Sequence, residues 1–378
     1  MNVGVIYGGA SVEHDVSILT ALQAMEALSG RHTVVPIYVT RSGRWLSGDA
    51  LRELDAYRVE GEPDVPEISR DLGGGTIRQH GGGGLLSRRR EGARIDVALP
   101  ATHGTYGEDG TLQGLLELCG VPYAGSSVGA SAAAMDKGLS KAVLRQAGLP
   151  VPDGAELARD AGPERVSETL AAYGLPVYVK PISLGSSIGV ARCTTRAEVD
   201  EALELAFELD RAALVESSVE GATEVNCAVL GARGGELRAS VCEQPVAQDG
   251  LLSFEDKYMR GGKGEGMKGA ERIIPAPIGE EATGRVRELA KRAFRALGCS
   301  GVARVDFLIA PDGTVYVNEL NTIPGSFSFY LWEPAGLPFP DLLDELLDIA
   351  LAEHRRSTST TRTFDSTLLA SRGTGAKT

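Results

Sequence analysis

The sequence lacks a long apolar run, since none approaches the roughly 18 apolar residues that a membrane-spanning helix needs. The opening residues, MNVGVIYGGASVEHD, lack the basic start and the long apolar stretch of a secretory signal, so we expect no export signal here. Basic side chains are outnumbered, 38 against 51 acidic ones, which gives a net charge of −13. That balance argues against nucleic acid and against an anionic membrane as partners, but it permits a local basic pocket for a small polyanion.

Cysteine is also scarce. The five residues, Cys119, Cys193, Cys227, Cys242 and Cys299, are odd in number and form no CxxC pair. Scattered thiols of this kind indicate a reducing compartment, the cytoplasm, and argue against a zinc site. We expect these cysteines to be small buried apolar side chains.

With 378 residues, the chain is long enough for two or three domains. It opens with a strand, a glycine turn, a helix and a second strand, which predicts an α/β layer with a parallel sheet. Residues 61–94 contain two glycine runs and an RRR triplet, and we predict an irregular surface excursion there without structural importance. Further along, the pattern predicts helices at 111–119, 127–147 and 339–354, a proline-rich junction at 148–154, and a disordered tail from 355 onward.

The stretch PVYVKPISLGSSIGV, residues 176–190, has a lysine at the end of an apolar strand and a glycine-serine loop after it. A Walker-type phosphate loop carries its lysine after the glycines, at the start of a helix, so the position of Lys180 excludes that type. The residues after the loop predict a second strand, so the loop joins two strands of a hairpin. Its backbone N–H and hydroxyl groups can face a phosphate. A plain Gly-Ser hairpin remains the alternative.

A second hairpin is predicted from GVARVDFLIAPDGTVYVNELN, which begins at residue 301 and has a DG dipeptide at 312–313. If those two residues form the loop, the strands pair Asp306 with Glu319 and Arg304 with Asn321, and all four side chains share one face. Two carboxylates and an amide oxygen suit Mg²⁺ held together with phosphates, and a guanidinium suits developing negative charge. The alternative interpretation is a salt-bridged face in solvent.

Taken together, several motifs resemble the ATP-grasp superfamily and, within it, the D-alanine–D-alanine ligases. They are GGASVEHDVS (8–17), HGTYGEDGTLQGLLELCGVPYAGSS (103–127), AMDKGLSK (134–141), VKPISLGSSIGV (179–190), EDKY (255–258), ARVDF (303–307) and NELNTIPG (318–325). The resemblance covers residues 1 to about 352. It implies an α/β ATP-grasp fold: an N-terminal parallel-sheet domain (1–125), a central α+β subdomain (126–215) and a C-terminal α+β subdomain (216–354) that carries the metal site and a lid loop (255–272), before the tail (355–378).

The resemblance also implies roles for individual residues. Those that would bind ATP are Lys137, Lys180, Ser186, Ser187, Glu216 near the adenine, Glu224 near the ribose, and the lid lysine Lys257. Those that would hold two Mg²⁺ ions, or Mn²⁺ in their place, are Asp306, Glu319 and Asn321. Those with catalytic roles would be the linked triad Glu13, Ser186 and Tyr258, and the oxyanion stabilisers Arg304 and Gly325. Glu224 comes one residue later than the family spacing.

The amino-acid substrates would contact Glu13 and His103 on the donor side, and Ser326, Tyr330 and Leu331 on the acceptor side. The sequence departs from the family here, because Tyr330 stands where the family has a serine, and Ser326 or Ser328 could take over its contact. The implied activity is an ATP- and Mg²⁺-dependent, ADP-forming ligation of two D-alanines through an acylphosphate, in a cytoplasmic homodimer serving peptidoglycan precursor synthesis. Two alternatives stay open: a ligase with another amino-acid acceptor, and a nucleotide-binding protein without activity.

Overall fold

The computed structural model describes residues 1–58, 61–79, 90–246 and 272–361. In its N-terminal part, apolar strands form a sheet with the order β3-β2-β1-β6, in which β1 pairs in parallel with β2 and β6. The elements are β1 (Asn2–Gly8), α1 (His14–Leu28), β2 (Thr33–Val39), β3 (Trp45–Leu46), β4 (Thr76–Gln79), β5 (Arg90–Arg94), β6 (Val97–Pro100) and α2 (Thr111–Leu118). Helix α1 packs on the central strand β1, which is buried on both faces, as expected of a parallel sheet.

The interpretation of residues 61–94 as an unimportant excursion is wrong for its described part. Strands β4 and β5 pair there, and Ile68, Leu72 and Ile77 are buried in one apolar cluster with Ile95 and Leu116. Isolated apolar side chains between polar and glycine residues give no periodic signal, although they fill one face of the N-terminal sheet. The glycine run at 81–84 lies outside the described residues.

The predicted helix over 127–147 is two helices, α3 (Val128–Met135) and α4 (Lys137–Gln146). Asp136 separates them because it leaves the helical conformation and caps α4, with its Oδ1 accepting a hydrogen bond from Leu139 N at 2.9 Å. The break places Lys137 at the first position of α4, where its backbone N–H donates to the Ile182 carbonyl.

The central part is an antiparallel sheet, β7-β10-β8-β9, covered by two helices. Its elements are β7 (Gly154–Ala158), α5 (Pro163–Tyr173), β8 (Val177–Pro181), β9 (Ala191–Cys193), α6 (Arg196–Leu209) and β10 (Ala212–Ser217). Alternate residues of β8, such as Val177 and Val179, are buried in a cluster with Val199 and Leu203 of α6. This leaves Lys180 on the opposite face of the sheet.

The C-terminal part has a second antiparallel sheet, β13-β12-β11-β14-β15, with a long amphipathic helix on one face. Its elements are β11 (Thr223–Gly231), β12 (Leu237–Pro245), β13 (Arg272–Ile273), α7 (Gly279–Ala296), β14 (Gly301–Ile309), β15 (Val315–Asn321), the 3₁₀ turn Gly325–Ser328, α8 (Phe329–Trp332) and α9 (Phe339–Thr358). Helix α9 continues four residues into the segment predicted as a tail. None of the helices in the described ranges combines the length and apolar character needed to span a bilayer.

Candidate active site

One cavity collects side chains from all three parts of the fold. The predicted site residues that line it are Glu13, His103, Lys137, Ser186, Glu224, Arg304, Asp306, Glu319, Asn321, Gly325 and Tyr330. Lys180, Ser187, Glu216, Ser326 and Leu331 do not line it, and Lys257 and Tyr258 lie outside the described residues. Residues more than 300 positions apart in the sequence therefore share one concave surface.

The hairpin places Asp306 opposite Glu319 and Arg304 opposite Asn321, as predicted, but by a different route. The loop has three residues, because the last hydrogen bond between the strands runs from Ala310 N to Thr314 O. Within the loop, Gly313 N donates to Ala310 O, and Gly313 has a φ of +87°. The predicted two-residue loop is therefore wrong. A bulge in β15 restores the register: Phe307 pairs with Val317 while Asp306 pairs with Glu319, so one residue, Asn318, is extra.

The polar patch on this hairpin is not a solvent face. Asp306 is only 4% exposed, and Arg304 holds it with two hydrogen bonds, Nε to Oδ1 at 2.7 Å and Nη2 to Oδ2 at 2.8 Å. Asn321 Nδ2 donates to Oδ2 at 3.1 Å. Burial by itself would lower the pKa of Arg304, but the adjacent Asp306 carboxylate outweighs it and raises that pKa well above its usual value.

Two lysines share a buried carboxylate behind the patch. Lys180 Nζ donates to Glu216 Oε2 at 2.5 Å, and Lys141 forms an ion pair with the other oxygen. Burial raises the pKa of Glu216, but the two lysine charges outweigh it and lower that pKa. Glu216, predicted as the acid near adenine, thus lies with its carboxylate between two cations. Lys141 was missed, although it belongs to the AMDKGLSK motif.

The extra residue of the β15 bulge binds the same two lysines. Asn318 Oδ1 accepts from Lys180 Nζ at 3.2 Å, and the Asn318 carbonyl accepts from Lys141 Nζ at 3.1 Å. A bulge leaves its extra residue unpaired in the strand ladder, so both the carbonyl and the side chain of Asn318 are available to the lysines. The bulge therefore connects the acidic hairpin with the lysine strand β8.

Glu13 joins the N-terminal part to the Gly-Ser loop between β8 and β9. It precedes α1, is 6% exposed, and accepts a short hydrogen bond from Ser186 Oγ. Two glycines make room for it: a Cβ on Gly104 would lie 2.8 Å from Glu13 Oε2, and a Cβ on Gly185 would lie 2.9 Å from the same atom. Ser186 has φ of +53°, a left-handed conformation typical of functional sites. Two members of the predicted triad therefore touch.

His103 is buried and uncharged in this arrangement. Its Nε2 lies 2.8 Å from Thr20 Oγ1, and Thr20 Oγ1 accepts from the Ser326 N–H at 3.2 Å. Burial lowers the pKa of His103 to about 4, and the Ile323 backbone opposes this only in part. The Ser326 hydroxyl donates to Gln23 Oε1 at 2.6 Å, so it faces α1 and not the acceptor side of the cavity.

Glu108 is a cavity residue that sequence reasoning missed, although it lies within HGTYGEDG. Its two oxygens accept from the backbone N–H groups of Gly104, at 2.8 Å, and Ile323, at 3.1 Å. Burial, followed by the charge of Glu13, raises the pKa of Glu108 to about 8, and the two N–H groups lower it in part. This carboxyl ties the loop after β6 to the loop after β15.

On the acceptor side, Tyr330 lies in the cavity wall and Leu331 does not. The Tyr330 hydroxyl donates its one proton to Glu243 Oε1 at 3.1 Å. In this arrangement it cannot also donate to a substrate carboxylate, the contact expected from the sequence. Leu331 is fully buried in the apolar core, so the structure does not place it in contact with the cavity. Sequence reasoning gave no signal for Glu243, since it depends on strand pairing.

Comparison with known proteins identifies the family of this chain. Sequence profiles described as the D-ala D-ala ligase N-terminus and C-terminus match residues 2–126 and 143–348. The chain belongs to the D-alanine–D-alanine ligase family. Relatives of this family include D-alanine–D-alanine ligase A of Chromobacterium violaceum, 39% identical over 96% of this chain and 98% of that protein, and the D-alanine–D-alanine ligase of Bacillus cytotoxicus, 38% identical over 94% and 97%.

Solved structures of the family have the same fold. The D-alanine–D-alanine ligase from Coxiella burnetii has a TM-score of 0.78 and 32% identity, covering 95% of this chain and 97% of its own. The VanG D-Ala:D-Ser ligase from Enterococcus faecalis has the same TM-score and identity, covering 92% and 99%. The predicted fold class, a parallel α/β domain followed by two α+β subdomains, is confirmed.

Proposed function

We propose that this protein ligates two D-alanine molecules into D-alanyl-D-alanine and converts ATP to ADP and phosphate. One observation carries the proposal: in a chain of this family, the acid pair Asp306 and Glu319, the oxyanion-type cation Arg304 and the donor-side acid Glu13 all line one cavity. Acids and cations that face each other in a closed space suit a transfer in which negative charge moves from one oxygen to another.

The proposed reaction has two steps. The carboxylate of the first D-alanine attacks the γ-phosphorus of ATP, ADP leaves, and an acylphosphate forms. The amine of the second D-alanine then attacks the acyl carbon, a proton is lost from nitrogen, and phosphate leaves. Lys137 and Lys180 would neutralise the ATP phosphates, and Arg304 with the Gly325 backbone would stabilise the tetrahedral oxyanion. Exclusion of water matters because an acylphosphate hydrolyses readily.

Mg²⁺ is part of the proposal, and the chemistry of the ligands fits it. Within the described residues, no three acidic, histidine or cysteine side chains form a metal cluster. Asp306, Glu319 and Asn321 nevertheless line the cavity together, and carboxylate and amide oxygens are the hard ligands that Mg²⁺ prefers. Such a set suits an ion that keeps substrate phosphates and water as its other ligands. The ion would supply charge neutralisation at the transferred phosphate.

The donor would bind between Glu13 and His103. A buried carboxylate suits the donor ammonium, and the Ser186 hydroxyl keeps that carboxylate oriented. Because the pKa of His103 is lowered to about 4, the imidazole is neutral near pH 7 and would not reduce the nucleophilicity of the donor carboxylate by pairing with its charge. The lid residues Lys257 and Tyr258 would complete this side.

We further propose a cytoplasmic homodimer that supplies the peptidoglycan precursor pathway. All five cysteines are free thiols, which agrees with a reducing compartment. This includes Cys227 and Cys242, which lie opposite each other on β11 and β12 without forming a disulfide. The dimer rests on resemblance to the family and can be tested by light scattering of the purified protein.

An acceptor panel tests the function. Purified protein, ATP and Mg²⁺ are incubated with D-alanine alone at millimolar concentration, and with D-alanine plus D-serine or other amino acids, while ADP release and products are followed by mass spectrometry. D-Alanine alone should give stoichiometric ADP and D-alanyl-D-alanine. No ADP with D-alanine alone, and ADP with another acceptor, would replace this function with the alternative ligase. ATP binding without any turnover would indicate a non-catalytic protein.

A further inference from the structure

A row of polar side chains crosses the C-terminal sheet from the metal side to the acceptor side. The strand register places Glu243 of β12 opposite Asn226 of β11, Asn226 opposite Asp306 of β14, and Asp306 opposite Glu319 of β15. All four residues line the cavity. With a strand spacing of about 4.8 Å, Glu243 is roughly 10 Å of sheet away from Asp306, which leaves room for an acyl group and an acceptor side by side.

The Glu243 end of this row holds two buried acceptor atoms for which the described part of the chain supplies no donor. Glu243 Oε1 accepts from Asn226 Nδ2 at 3.0 Å and from Tyr330 at 3.1 Å, so that oxygen is occupied. Glu243 Oε2 and Asn226 Oδ1 have no hydrogen-bond partner among the described residues. The nearest cation, Arg272 Nη1, is 3.7 Å from Oε2, beyond hydrogen-bond distance. Glu243 and Asn226 are 2% and 5% exposed, so water replaces the missing donors poorly.

Two guanidinium groups share the cavity with this carboxylate. Arg272 lies over the Tyr330 ring at 4.2 Å, with its Nη1 3.7 Å from Glu243 Oε2, and Arg304 lines the same cavity. A carboxylate oxygen and an amide oxygen that lack donors, in a cavity that also holds two arginines, match a zwitterion: its ammonium has three N–H donors for the two acceptors, and its carboxylate can pair with a guanidinium.

We propose that Glu243, together with the Asn226 amide oxygen, binds the ammonium group of the acceptor amino acid and so selects an amine over a hydroxyl nucleophile. This inference rests on the proposed ligase function and names a residue for one of its two substrates. Tyr330 is a positioning residue in this arrangement, because its hydroxyl directs Glu243 Oε2 towards the cavity. The carboxylate also gives the ammonium proton an acceptor as the amine becomes the nucleophile, with the proton passing from nitrogen to Oε2.

Competition between two acceptors tests the inference. D-Lactate has the shape of D-alanine with a hydroxyl in place of the ammonium, so it cannot use the Glu243 charge. The full-length wild-type protein, Glu243→Gln and Asn226→Ala are given ATP, Mg²⁺, D-alanine and excess D-lactate, and the ratio of D-alanyl-D-lactate to D-alanyl-D-alanine is measured by mass spectrometry. Glu243→Gln is isosteric and loses only the charge. The exposed Glu204 of α6 supplies the matched control, Glu204→Gln.

Glu243→Gln should raise the ester-to-amide product ratio about tenfold or more, the scale of one lost charge-assisted hydrogen bond, and should raise the KM for acceptor D-alanine while the KM for ATP stays within about twofold. Asn226→Ala should act in the same direction, with a smaller change. Glu204→Gln should match wild type. A misfolded variant would lose both products equally, so the ratio separates recognition from instability.

Three results would overturn the inference. The first is an unchanged product ratio and acceptor KM in a folded, active Glu243→Gln protein, which leaves the ligase function intact. The second is a defect that disappears at high Mg²⁺, which would make Glu243 a metal ligand. The third is a changed preference between D-alanine and D-serine with no change against D-lactate, which would place the contact on the acceptor side chain. A wild-type protein without any dipeptide product would instead refute the proposed function, and this inference with it.

Discussion

Arg304 is a cation of the cavity wall, and its proposed role is to stabilise an oxyanion. Its guanidinium donates to Asp306 through Nε and Nη2. A guanidinium has five N–H donors in one plane, so further N–H groups remain for an oxyanion. We predict that Arg304→Ala lowers kcat by about 100-fold or more and leaves ATP affinity nearly unchanged, because the lost donor acts in the transition state.

Lys180→Ala provides the comparison for that prediction. Lys180 is hydrogen-bonded to Glu216 and Asn318 and is proposed to bind the ATP phosphates. Its loss should therefore weaken ATP binding, measured by calorimetry, more than it lowers kcat. A kcat that survives Arg304→Ala would show that the oxyanion role belongs to another group.

His103 predicts a pH dependence of stability. Its pKa is lowered from 6.5 to about 4 by burial, so between these values the unfolded chain binds a proton that the folded protein does not. Stability should therefore be complete above pH 6.5 and fall as the pH drops towards 4, by about 3 kcal/mol at about 1.4 kcal/mol per pH unit. Urea unfolding of wild type and His103→Gln at pH 4.5 and 7 measures it, since the variant cannot titrate at this position.

Glu108 gives the opposite dependence of stability on pH. Its pKa is raised to about 8, so above about pH 4.5 the folded protein keeps a proton that the unfolded chain loses. The contribution of Glu108 to the free energy of unfolding is therefore lost as the pH rises towards 8. Because both proteins contain Glu108, the difference between their unfolding curves isolates His103. An equal pH slope in the two proteins would mean that His103 is not the titrating group.

At the scale of elements, the β15 bulge is a small irregularity with two consequences. It compensates for the third residue of the hairpin loop, so the acids remain opposite each other, and it directs Asn318 at the lysines of α4 and β8. A regular strand would do neither. The hairpin and the central sheet are thus coupled through one extra residue.

We predict that Asn318→Ala raises the KM for ATP about tenfold with little change in kcat, because Lys180 loses one of its two side-chain acceptors, and a hydrogen bond to a charged group is worth about 1.5–3 kcal/mol. Asp312→Ala, in the exposed turn of the same hairpin, should leave the KM unchanged. If both variants behave alike, hairpin stability and not the lysine contact is the cause.

At the scale of the whole molecule, one apolar core crosses the predicted domain boundary at residue 125. The N-terminal sheet and α1 share a cluster with Trp332 and with Leu342, Leu343 and Leu346 of α9. Ion pairs reinforce the same contact, with Arg31 2.7 Å from Asp341 and from Asp344. The N-terminal sheet, α1 and α9 therefore form one packing unit.

We predict that a fragment of residues 1–126 does not unfold cooperatively by itself. It loses the α9 side chains, each worth about 1.5–3 kcal/mol on burial, against a typical total stability of about 5–15 kcal/mol. Circular dichroism on heating should show no sharp transition, whereas a chain ending at residue 361 should melt like the full protein. A cooperative transition in the short fragment would show that the N-terminal core is sufficient without α9.

The sequence by itself determined what depends on near neighbours: the parallel strand and glycine turn at the start, the Gly-Ser hairpin around Lys180, and the hairpin with Asp306 and Glu319. These follow from residue periodicity and turn chemistry within about ten residues, and the ligase resemblance follows from motifs of the same length. The buried residues Ile68, Leu72 and Ile77 were missed because isolated apolar residues have no period.

Only the tertiary structure decided which distant groups meet. The loop length and the bulge each shift the register by one residue, and they cancel only when the sheet forms as a unit. Glu216 between two lysines and Glu243 with an open oxygen likewise depend on strands paired across long stretches of chain. These contacts depend on many weak packing interactions between residues far apart in the sequence, and a local sequence pattern contains no information about those interactions.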